Sequence, residues 1–310
     1  MRISVLIPTW RRPRELTRCL AALASQTRPP DEVLVVLREE DEDTPGVLAE
    51  PHAFELRTVQ VRTPGVVAAL NEGLSQATTD IVAITDDDTS PRPDWLALIE
   101  RRFAADAGLG GLGGRDWVHH DSGVEDGESE TVGKLRWYGR IVGNHHLGTG
   151  SMREVDILKG ANMAYRRAAL DGVRLDERLR GSGAQVHFEI DLSLMVKGAG
   201  WKLAYDPAIA VDHYPASRPA GEERERPSRS ALFNEVHNET YVLLKRLPPG
   251  RRPLALAYWM AVGTRRAPGV ALLVERVLRE RGRNDVTQAF RAAMRGRLAG
   301  LRTFREASNR

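Results

Sequence analysis

The chain has 310 residues, of which 42% are hydrophobic and 28% are charged, a composition that excludes wholesale disorder. Its single cysteine, Cys19, excludes an internal disulfide framework and a cysteine-cluster zinc site. Residues 245–310 contain sixteen Lys or Arg and four Asp or Glu, a net +12, so the formal net charge of +3 leaves −9 on residues 1–244. An acidic body followed by a basic tail predicts that the two parts have different roles.

The first hundred residues alternate between strand-like and helix-like patterns. Short apolar runs rich in β-branched residues predict strands at 3–7, 33–37, 57–62 and 81–85. Apolar residues at helical spacing predict helices at 13–25 and 66–76. Because continuous apolar strands joined by helices are typical of α/β proteins, we expect a mostly parallel central sheet with helices on both faces.

The rest of the chain is less regular. Residues 108–150 are rich in glycine, histidine and aromatic residues and predict an irregular region that shapes a pocket. Further predictions are a helix at 188–200, short strands at 202–206 and 208–212, a linker at 215–229 and amphipathic helices beyond it. We therefore expect one main domain at 1–245 and a basic amphipathic helical extension at 246–310.

Three consecutive carboxylates, Asp86, Asp87 and Asp88, directly follow the predicted strand 81–85. Ligands of parallel sheets bind beyond the carboxyl ends of the strands, and a divalent cation there would relieve the repulsion among the carboxylates. A solvated acidic turn before Pro91 is the alternative for such a triplet.

Seven stretches in this order resemble the inverting glycosyltransferases of family 2, which have the GT-A fold. They are 5–9 (VLIPT), 29–36 (PPDEVLVV), 71–74 (NEGL), 80–88 (DIVAITDDD), 159–167 (KGANMAYRR), 187–194 (HFEIDLSL) and 205–213 (YDPAIAVDH). The likeness covers about residues 1–215 and implies a GT-A fold, a Rossmann-like sheet with helices on both faces. It also implies transfer of a sugar from a nucleotide diphosphate sugar to an acceptor hydroxyl, with inversion at the anomeric carbon.

The resemblance implies a metal site at the aspartate motif, the family's DXD motif. Asp88 matches the direct ligand, Asp86 assists it, and His213 matches the histidine that completes the site. The implied ion is Mn²⁺ or Mg²⁺, and an imidazole ligand suits Mn²⁺ better. The ion would stabilise the negative charge that develops on the leaving pyrophosphate.

The resemblance implies that a carboxylate near residue 190 removes the proton of the acceptor hydroxyl. The family has Glu-Asp there and a second Asp two positions later, whereas this chain has Phe188-Glu189 and then Asp191. Glu189 therefore aligns with the base and Asp191 is the reserve candidate. The two positions lie about 200° apart around a helix, so we expect only one to face the substrate.

Further residues match positions that bind the nucleotide sugar. Those after the first two strands are Pro8, Thr9, Arg11, Glu39 and Asp41, and the acid run 39–43 leaves open which carboxylate serves. Asn71, Asp86 and Asp87 match later positions, and Lys159 and Asn162 belong to the stretch that resembles the family's acceptor-side strand.

The resemblance also bears on partners and location. The acceptor would be a glycan or a lipid-linked compound, in keeping with assembly of a cell-envelope polysaccharide. The basic tail would allow peripheral membrane contact; the alternative is that its helices pack on the catalytic domain and expose their charges. The tail has no nucleic-acid-binding motif. No stretch is as long as the roughly 18 apolar residues that a membrane span requires, and no signal peptide is visible. We therefore expect a cytoplasmic protein that is peripheral on the inner face of the membrane.

Two other functions compete with this one. A sugar-phosphate nucleotidyltransferase would have a glycine-rich phosphate loop after the first strand, and Pro8-Thr9-Trp10-Arg11 contains no glycine. A non-catalytic nucleotide-sugar-binding module would be expected to lose the acidic residues, and this chain keeps Asp86, Asp88, Glu189 and Asp191.

Overall fold

The computed structural model of the protein describes residues 1–181, 183–216, 229–279 and 283–309. The chain divides into two compact units. The sheet unit comprises residues 1–134, 142–175 and 192–216. The helical unit comprises residues 135–141, 176–191 and the described residues of 217–310. The predicted division at residue 245 does not coincide with these units and stays a prediction, and most of the predicted linker lies outside the described residues.

The helices and strands have the following bounds. The strands are β1 (Ile3–Pro8), β2 (Glu32–Arg38), β3 (Leu56–Val61), β4 (Ile81–Thr85), β5 (Thr89–Pro91), β6 (Leu109–His120), β7 (Gly123–Val124), β8 (Lys134–Leu135), β9 (Ile141–Val142), β10 (Arg153–Glu154), β11 (Asn162–Arg166) and β12 (Lys202–His213). The α-helices are α1 (Pro13–Ala24), α2 (Pro45–Leu48), α3 (Val66–Gln76), α4 (Trp95–Ala105), α5 (Phe188–Gly198), α6 (Arg229–Arg246), α7 (Arg252–Ala261), α8 (Val270–Arg279) and α9 (Arg283–Ser308).

The main sheet has the order β10-β12-β6-β11-β4-β1-β2-β3. The pairs β4–β1, β1–β2, β2–β3 and β12–β6 are parallel, and β11 lies antiparallel between β4 and β6. The predicted mixed α/β architecture with a mostly parallel sheet is confirmed. The two strands predicted at 202–206 and 208–212 are one strand, β12, whose register shifts between Asp206 and Ala210.

Alternating side chains of the central strands pack on opposite faces of the sheet. On one face, Ile3, Val5 and Ile7 belong to a core that includes side chains of α1 and α4. On the other face α3 approaches closely, because a Cβ on Gly73 would lie 2.3 Å from Leu6 and 2.9 Å from Val36. Strands buried on both faces read as continuous apolar runs, so this part of the fold was visible in the sequence.

The prediction of an irregular region at 108–150 is wrong for β6, a twelve-residue strand in the middle of the sheet. Its glycines are required by close neighbours. A Cβ on Gly111 would lie 2.5 Å from Leu203, and one on Gly114 would lie 1.6 Å from the carbonyl oxygen of Ile209. A strand whose glycines leave room for neighbouring side chains lacks the apolar pattern from which strands are predicted.

The predicted C-terminal helices are present. In the helical unit α6 packs along α9, and Leu232 and Val236 of α6 form a small core with Ala292 and Ala293 of α9. A Cβ on Gly296 would lie 2.8 Å from the carbonyl oxygen of Phe233, so glycine allows the two helices to approach closely. The amphipathic patterns of the tail thus include a face that packs within the protein.

Candidate metal and nucleotide-sugar site

The aspartate loop and the end of β12 lie side by side in the sheet unit. β4 ends at Thr85 and leads directly into Asp86, Asp87 and Asp88. β5 then turns back and pairs with β12, with Thr89 opposite His213. The topology therefore brings together an acidic loop and a histidine that are 125 positions apart in the sequence.

Three side chains converge there in the geometry of a metal site. One ligand atom from each of Asp86, Asp88 and His213 lies within 4.8 Å of the others. Asp88 and His213 are buried, and His213 Nε2 lies 3.2 Å from Asp88 Oδ1. Both ring nitrogens of His213 are buried, and neither makes a hydrogen bond with the residues that the structure describes. Two carboxylates and an imidazole with an unsatisfied nitrogen fit a divalent cation such as Mn²⁺.

The middle aspartate, Asp87, points to a different set of partners. The hydroxyl of Thr9 donates a hydrogen bond to Asp87 Oδ2 at 2.8 Å, and Arg12 Nη1 lies 2.9 Å from Asp87 Oδ1. Burial, opposed by the charge of Arg12 and helped by the charge of Asp88, raises the pKa of Asp87 to about 7. Asp87 thus anchors the acidic loop to the segment after β1.

Arg12 is a site residue that the sequence analysis missed. Its guanidinium lies between two of the aspartates, 2.9 Å from Asp87 and 3.5 Å from Asp88. The pKa of Arg12 is raised by the aspartates, although burial acts in the opposite direction. The available signal was the Arg11-Arg12 pair just after Pro8, yet only the fold shows which arginine turns toward the carboxylates.

Arg11 and Asp41 build the loops next to this cluster. Arg11 has a left-handed backbone (φ 52°), and its N–H donates a hydrogen bond to Asp41 Oδ2 at 2.7 Å. Asp41 also accepts hydrogen bonds from the N–H of Asp43 and from the N–H and hydroxyl of Thr44. The buried carboxylate of Asp41 therefore joins the loops after β1 and β2, and its nucleotide-binding role stays a prediction.

Glu39 and Pro8 lie at the ends of neighbouring strands. Glu39 follows β2, is exposed, and pairs with Arg62 at 2.8 Å. Pro8 ends β1 opposite Val36 of β2 and is half-buried. An exposed ion pair contributes little to stability, and nucleotide binding by Glu39 and Pro8 stays a prediction.

The three remaining predicted contact residues have structural partners. Asn71 accepts from the N–H of Leu175 and donates to its carbonyl, at 2.8 and 3.0 Å. Asn162 is buried and accepts from Trp95 Nε1 at 2.9 Å while its amide donates to the carbonyl of Ile209 at 2.9 Å. Lys159 Nζ lies 2.6 Å from the buried carboxylate of Asp116. These contacts organise the sheet unit, and ligand binding by the three residues stays a prediction.

The two candidate bases lie in the first turn of α5 and differ in environment. Asp191 is buried, with Arg246 Nε 2.5 Å from its Oδ1 and Lys245 Nζ 3.6 Å from its Oδ2. Glu189 is half-buried. Two cations on α6 hold the Asp191 carboxylate in place, which favours a structural role for Asp191 over proton transfer.

A family model and a known protein match most of the chain. A family model described as "Glycosyltransferase like family 2" matches residues 1–228. The chain is 25% identical to glycosyltransferase AglE of Haloferax volcanii over 269 residues, covering 84% of this chain and 80% of AglE.

Two solved structures share the fold. Mannosyltransferase PcManGT from Pyrobaculum calidifontis, in complex with GDP-Man and Mn²⁺, aligns with a TM-score of 0.58 and 19% identity, covering 97% of this chain and 87% of that one. S. aureus TarS in complex with UDP-GlcNAc aligns with a TM-score of 0.61 and 15% identity, covering 100% and 92%. The family match over most of the chain and the sheet order lead to one conclusion: the chain belongs to glycosyltransferase family 2 and has the GT-A fold.

Proposed function

We propose that the protein is a metal-dependent inverting glycosyltransferase that moves a sugar from a nucleotide diphosphate sugar to an acceptor hydroxyl. The observation that carries this proposal is the convergence of Asp86, Asp88 and His213 at the carboxyl end of β4. Structural neighbours were solved with GDP-Man and Mn²⁺ or with UDP-GlcNAc, which supports a donor of this chemical class.

In this proposal Asp86, Asp88 and His213 hold the cation, with Mn²⁺ favoured over Mg²⁺ because of the imidazole. When bound, the cation supplies Lewis-acid stabilisation of the leaving diphosphate. Arg12 keeps Asp87 and Asp88 oriented, and Thr9 ties the same loop to the end of β1. The side chains after β1 and β2, including Arg11 and Glu39, are the proposed contacts of the nucleotide.

We assign the general base to Glu189. It aligns with the family's catalytic carboxylate, and Asp191 is already held by Arg246 and Lys245. The base takes the proton of the acceptor hydroxyl while that oxygen attacks the anomeric carbon from the face opposite the leaving group. The configuration at that carbon is therefore inverted.

The acceptor in this proposal is a glycan or a lipid-linked hydroxyl compound of a cell-envelope polysaccharide. Among the described residues no helix is both long and apolar enough to cross a membrane. We propose that the protein acts at the inner face of the membrane and contacts it peripherally through its C-terminal helices.

Conservative variants of the two acids test the assignment of the base. We expect Glu189→Gln to retain donor binding in a thermal-shift assay and to lose transfer by at least about 10²-fold, because the amide cannot accept the proton. Release of nucleoside diphosphate in the presence of Mn²⁺ measures transfer and donor hydrolysis. We expect Asp191→Asn instead to lower stability, since Arg246 would lose its charged partner. Full activity of Glu189→Gln would reassign the base.

A further inference from the structure

Exposed apolar side chains are concentrated in the helical unit. Of the ten large hydrophobic side chains that are exposed among the described residues, eight belong to this unit. They are Trp137, Leu254, Met260, Val262, Val270, Val274, Leu278 and Leu298. Single exposed apolar residues are ordinary, whereas a concentration on one part of a protein marks an interaction surface.

Helix α8 contributes three of these residues from one edge of its apolar stripe. Val270, Val274 and Leu278 follow one another at four-residue spacing and are 52%, 51% and 79% exposed. Leu273 and Val277, on the adjoining edge of the stripe, are half-buried. The apolar stripe of α8 is therefore wider than the surface that it buries within the described part of the chain.

The turn between α7 and α8 is held in a defined conformation next to these residues. The N–H of Gly269 donates to the carbonyl of Val262 at 2.7 Å, and the N–H of Thr264 donates to the carbonyl of Ala267 at 3.0 Å. A Cβ on Gly269 would lie 2.7 Å from the carbonyl oxygen of Met260, so the end of α7 and the start of α8 are in close contact. Met260 and Val262 are thereby joined to the exposed edge of α8.

A second rigid element presents Trp137. Residues 136–140 form a tight turn, and Trp259 of α7 donates from Nε1 to the carbonyl of Gly139 at 3.1 Å. The rings of Tyr138 and Tyr258 lie 4.8 Å apart in an edge contact. Trp137 itself is 61% exposed. The turn is thus fixed on α7 while its tryptophan faces solvent.

The charges around these residues are mostly positive. Residues 246–279 contain seven arginines and one acid, Glu275, a net +6. Arg265 precedes α8 and is exposed, and the exposed Arg279 ends α8 and pairs with Glu275 at 3.2 Å. Arg136 and Arg140 flank Trp137 and are exposed as well. Arginine around an apolar stripe, with a tryptophan at its border, is the pattern of proteins that rest in the headgroup region of an anionic bilayer.

We propose that the helical unit docks on an anionic lipid bilayer. The residues that make this contact, here called the docking surface, are Trp137, Met260, Val262, Val270, Val274 and Leu278. The apolar side chains enter the headgroup–acyl boundary, and the surrounding arginines pair with lipid phosphates. This inference identifies the residues of the proposed membrane contact and does not depend on sugar transfer, since neither the metal site nor Glu189 takes part.

Sedimentation with sucrose-loaded vesicles tests the docking surface on the full chain, without metal or donor. We expect binding to vesicles of 30% phosphatidylglycerol in phosphatidylcholine and at least about tenfold weaker binding to phosphatidylcholine alone. The double variant Val274→Ser/Leu278→Ser should bind anionic vesicles at least about fivefold more weakly. Leu298→Ser, an exposed apolar position of α9 outside the surface, is the matched control and should bind like the parent protein.

Brominated lipids test the place of Trp137. The parent protein should show fluorescence quenching on binding, and Trp137→Phe should lose most of it.

Absence of vesicle binding, or an equal loss in Leu298→Ser, would overturn the proposal. Concentration-dependent dimerisation that Val274→Ser/Leu278→Ser abolishes would assign α8 to a second copy of the chain and overturn it too. If Trp137→Ala lowered transfer to a soluble glycan acceptor but left vesicle binding unchanged, Trp137 would not belong to the docking surface. Transfer to a soluble acceptor tests the proposed function separately.

Discussion

Arg12 and the three aspartates show how single residues set up the candidate metal site. Asp86 and Asp88 turn toward His213, while Asp87 turns toward Arg12 and Thr9. Asp86 and Asp88 thus belong to the candidate metal site, whereas Asp87 anchors the acidic loop to the segment after β1. The guanidinium of Arg12 offsets part of the repulsion among the aspartates, and a bound metal ion would offset more of it.

We therefore expect stability to depend more strongly on metal when the charge of Arg12 is removed. We expect Arg12→Gln to lower the free energy of unfolding of the metal-free protein by about 1–3 kcal/mol, because the buried Asp87 loses its ion pair. Mn²⁺ at saturating concentration should recover part of this loss, since it restores positive charge beside Asp88.

Denaturant unfolding with and without Mn²⁺ measures this effect. Arg14→Gln, an exposed position of α1, is the matched control and should change the stability by no more than about 0.5 kcal/mol. Equal losses for Arg12→Gln in both conditions would show that Arg12 has no connection with the metal site.

The same residues show what a sequence reveals about a site. The triplet and His213 could be predicted because a strand led into the acids and the motifs followed in a known order. Arg12 and the structural roles of Asn71 and Asn162 could not, because their partners lie 75, 104 and up to 67 positions away. The cations that hold Asp191 could not be predicted either, because Arg246 of α6 lies 55 positions further on.

At the scale of elements, burial decided which strands could be predicted. β1, β2 and β4 are apolar on both faces, and the observed bounds differ from the predicted ones by one residue at most. β6 is equally central but carries Gly110, Gly111, Gly113 and Gly114, so its neighbours fill the space that its own side chains would occupy. Its sequence therefore resembles a loop.

A substitution in β6 tests this explanation. We expect Gly114→Ala to lower the free energy of unfolding by about 3 kcal/mol or more, because the new Cβ would meet the carbonyl oxygen of Ile209, which cannot move away as a side chain would. Gly143→Ala is the matched control, since a Cβ there meets nothing within 4 Å.

Chemical unfolding followed by circular dichroism compares the two variants. Gly143→Ala should stay within about 0.5 kcal/mol of the parent protein. If Gly114→Ala were as stable as Gly143→Ala, the close approach of β6 and β12 at Ile209 would be refuted.

At the scale of the whole molecule, the charge is distributed unevenly between the acidic body and the basic tail. The acidic body contains the carboxylates of the candidate site, and the basic tail supplies α7, α8 and α9. The tail is also structural, because α6 buries Leu232 and Val236 against α9.

Truncation after Arg246 therefore should not yield a well-behaved protein. We expect the shortened chain to aggregate or to unfold at a lower temperature, because the apolar face of α6 loses α9 and becomes exposed. Size-exclusion chromatography and thermal unfolding measure the outcome. A monomeric truncated protein with unchanged stability would support an independent domain at 1–245.

In the proposed function, a divalent cation held by Asp86, Asp88 and His213 binds the donor nucleotide. Isothermal titration of the full chain with UDP and with GDP, in Mn²⁺ and then in excess EDTA, tests it most directly. We expect at least one nucleotide to bind in Mn²⁺, at least about tenfold weaker binding in EDTA, and a similar loss in Asp88→Asn with Mn²⁺ present. Nucleotide binding of equal strength in EDTA and in Asp88→Asn would contradict the account.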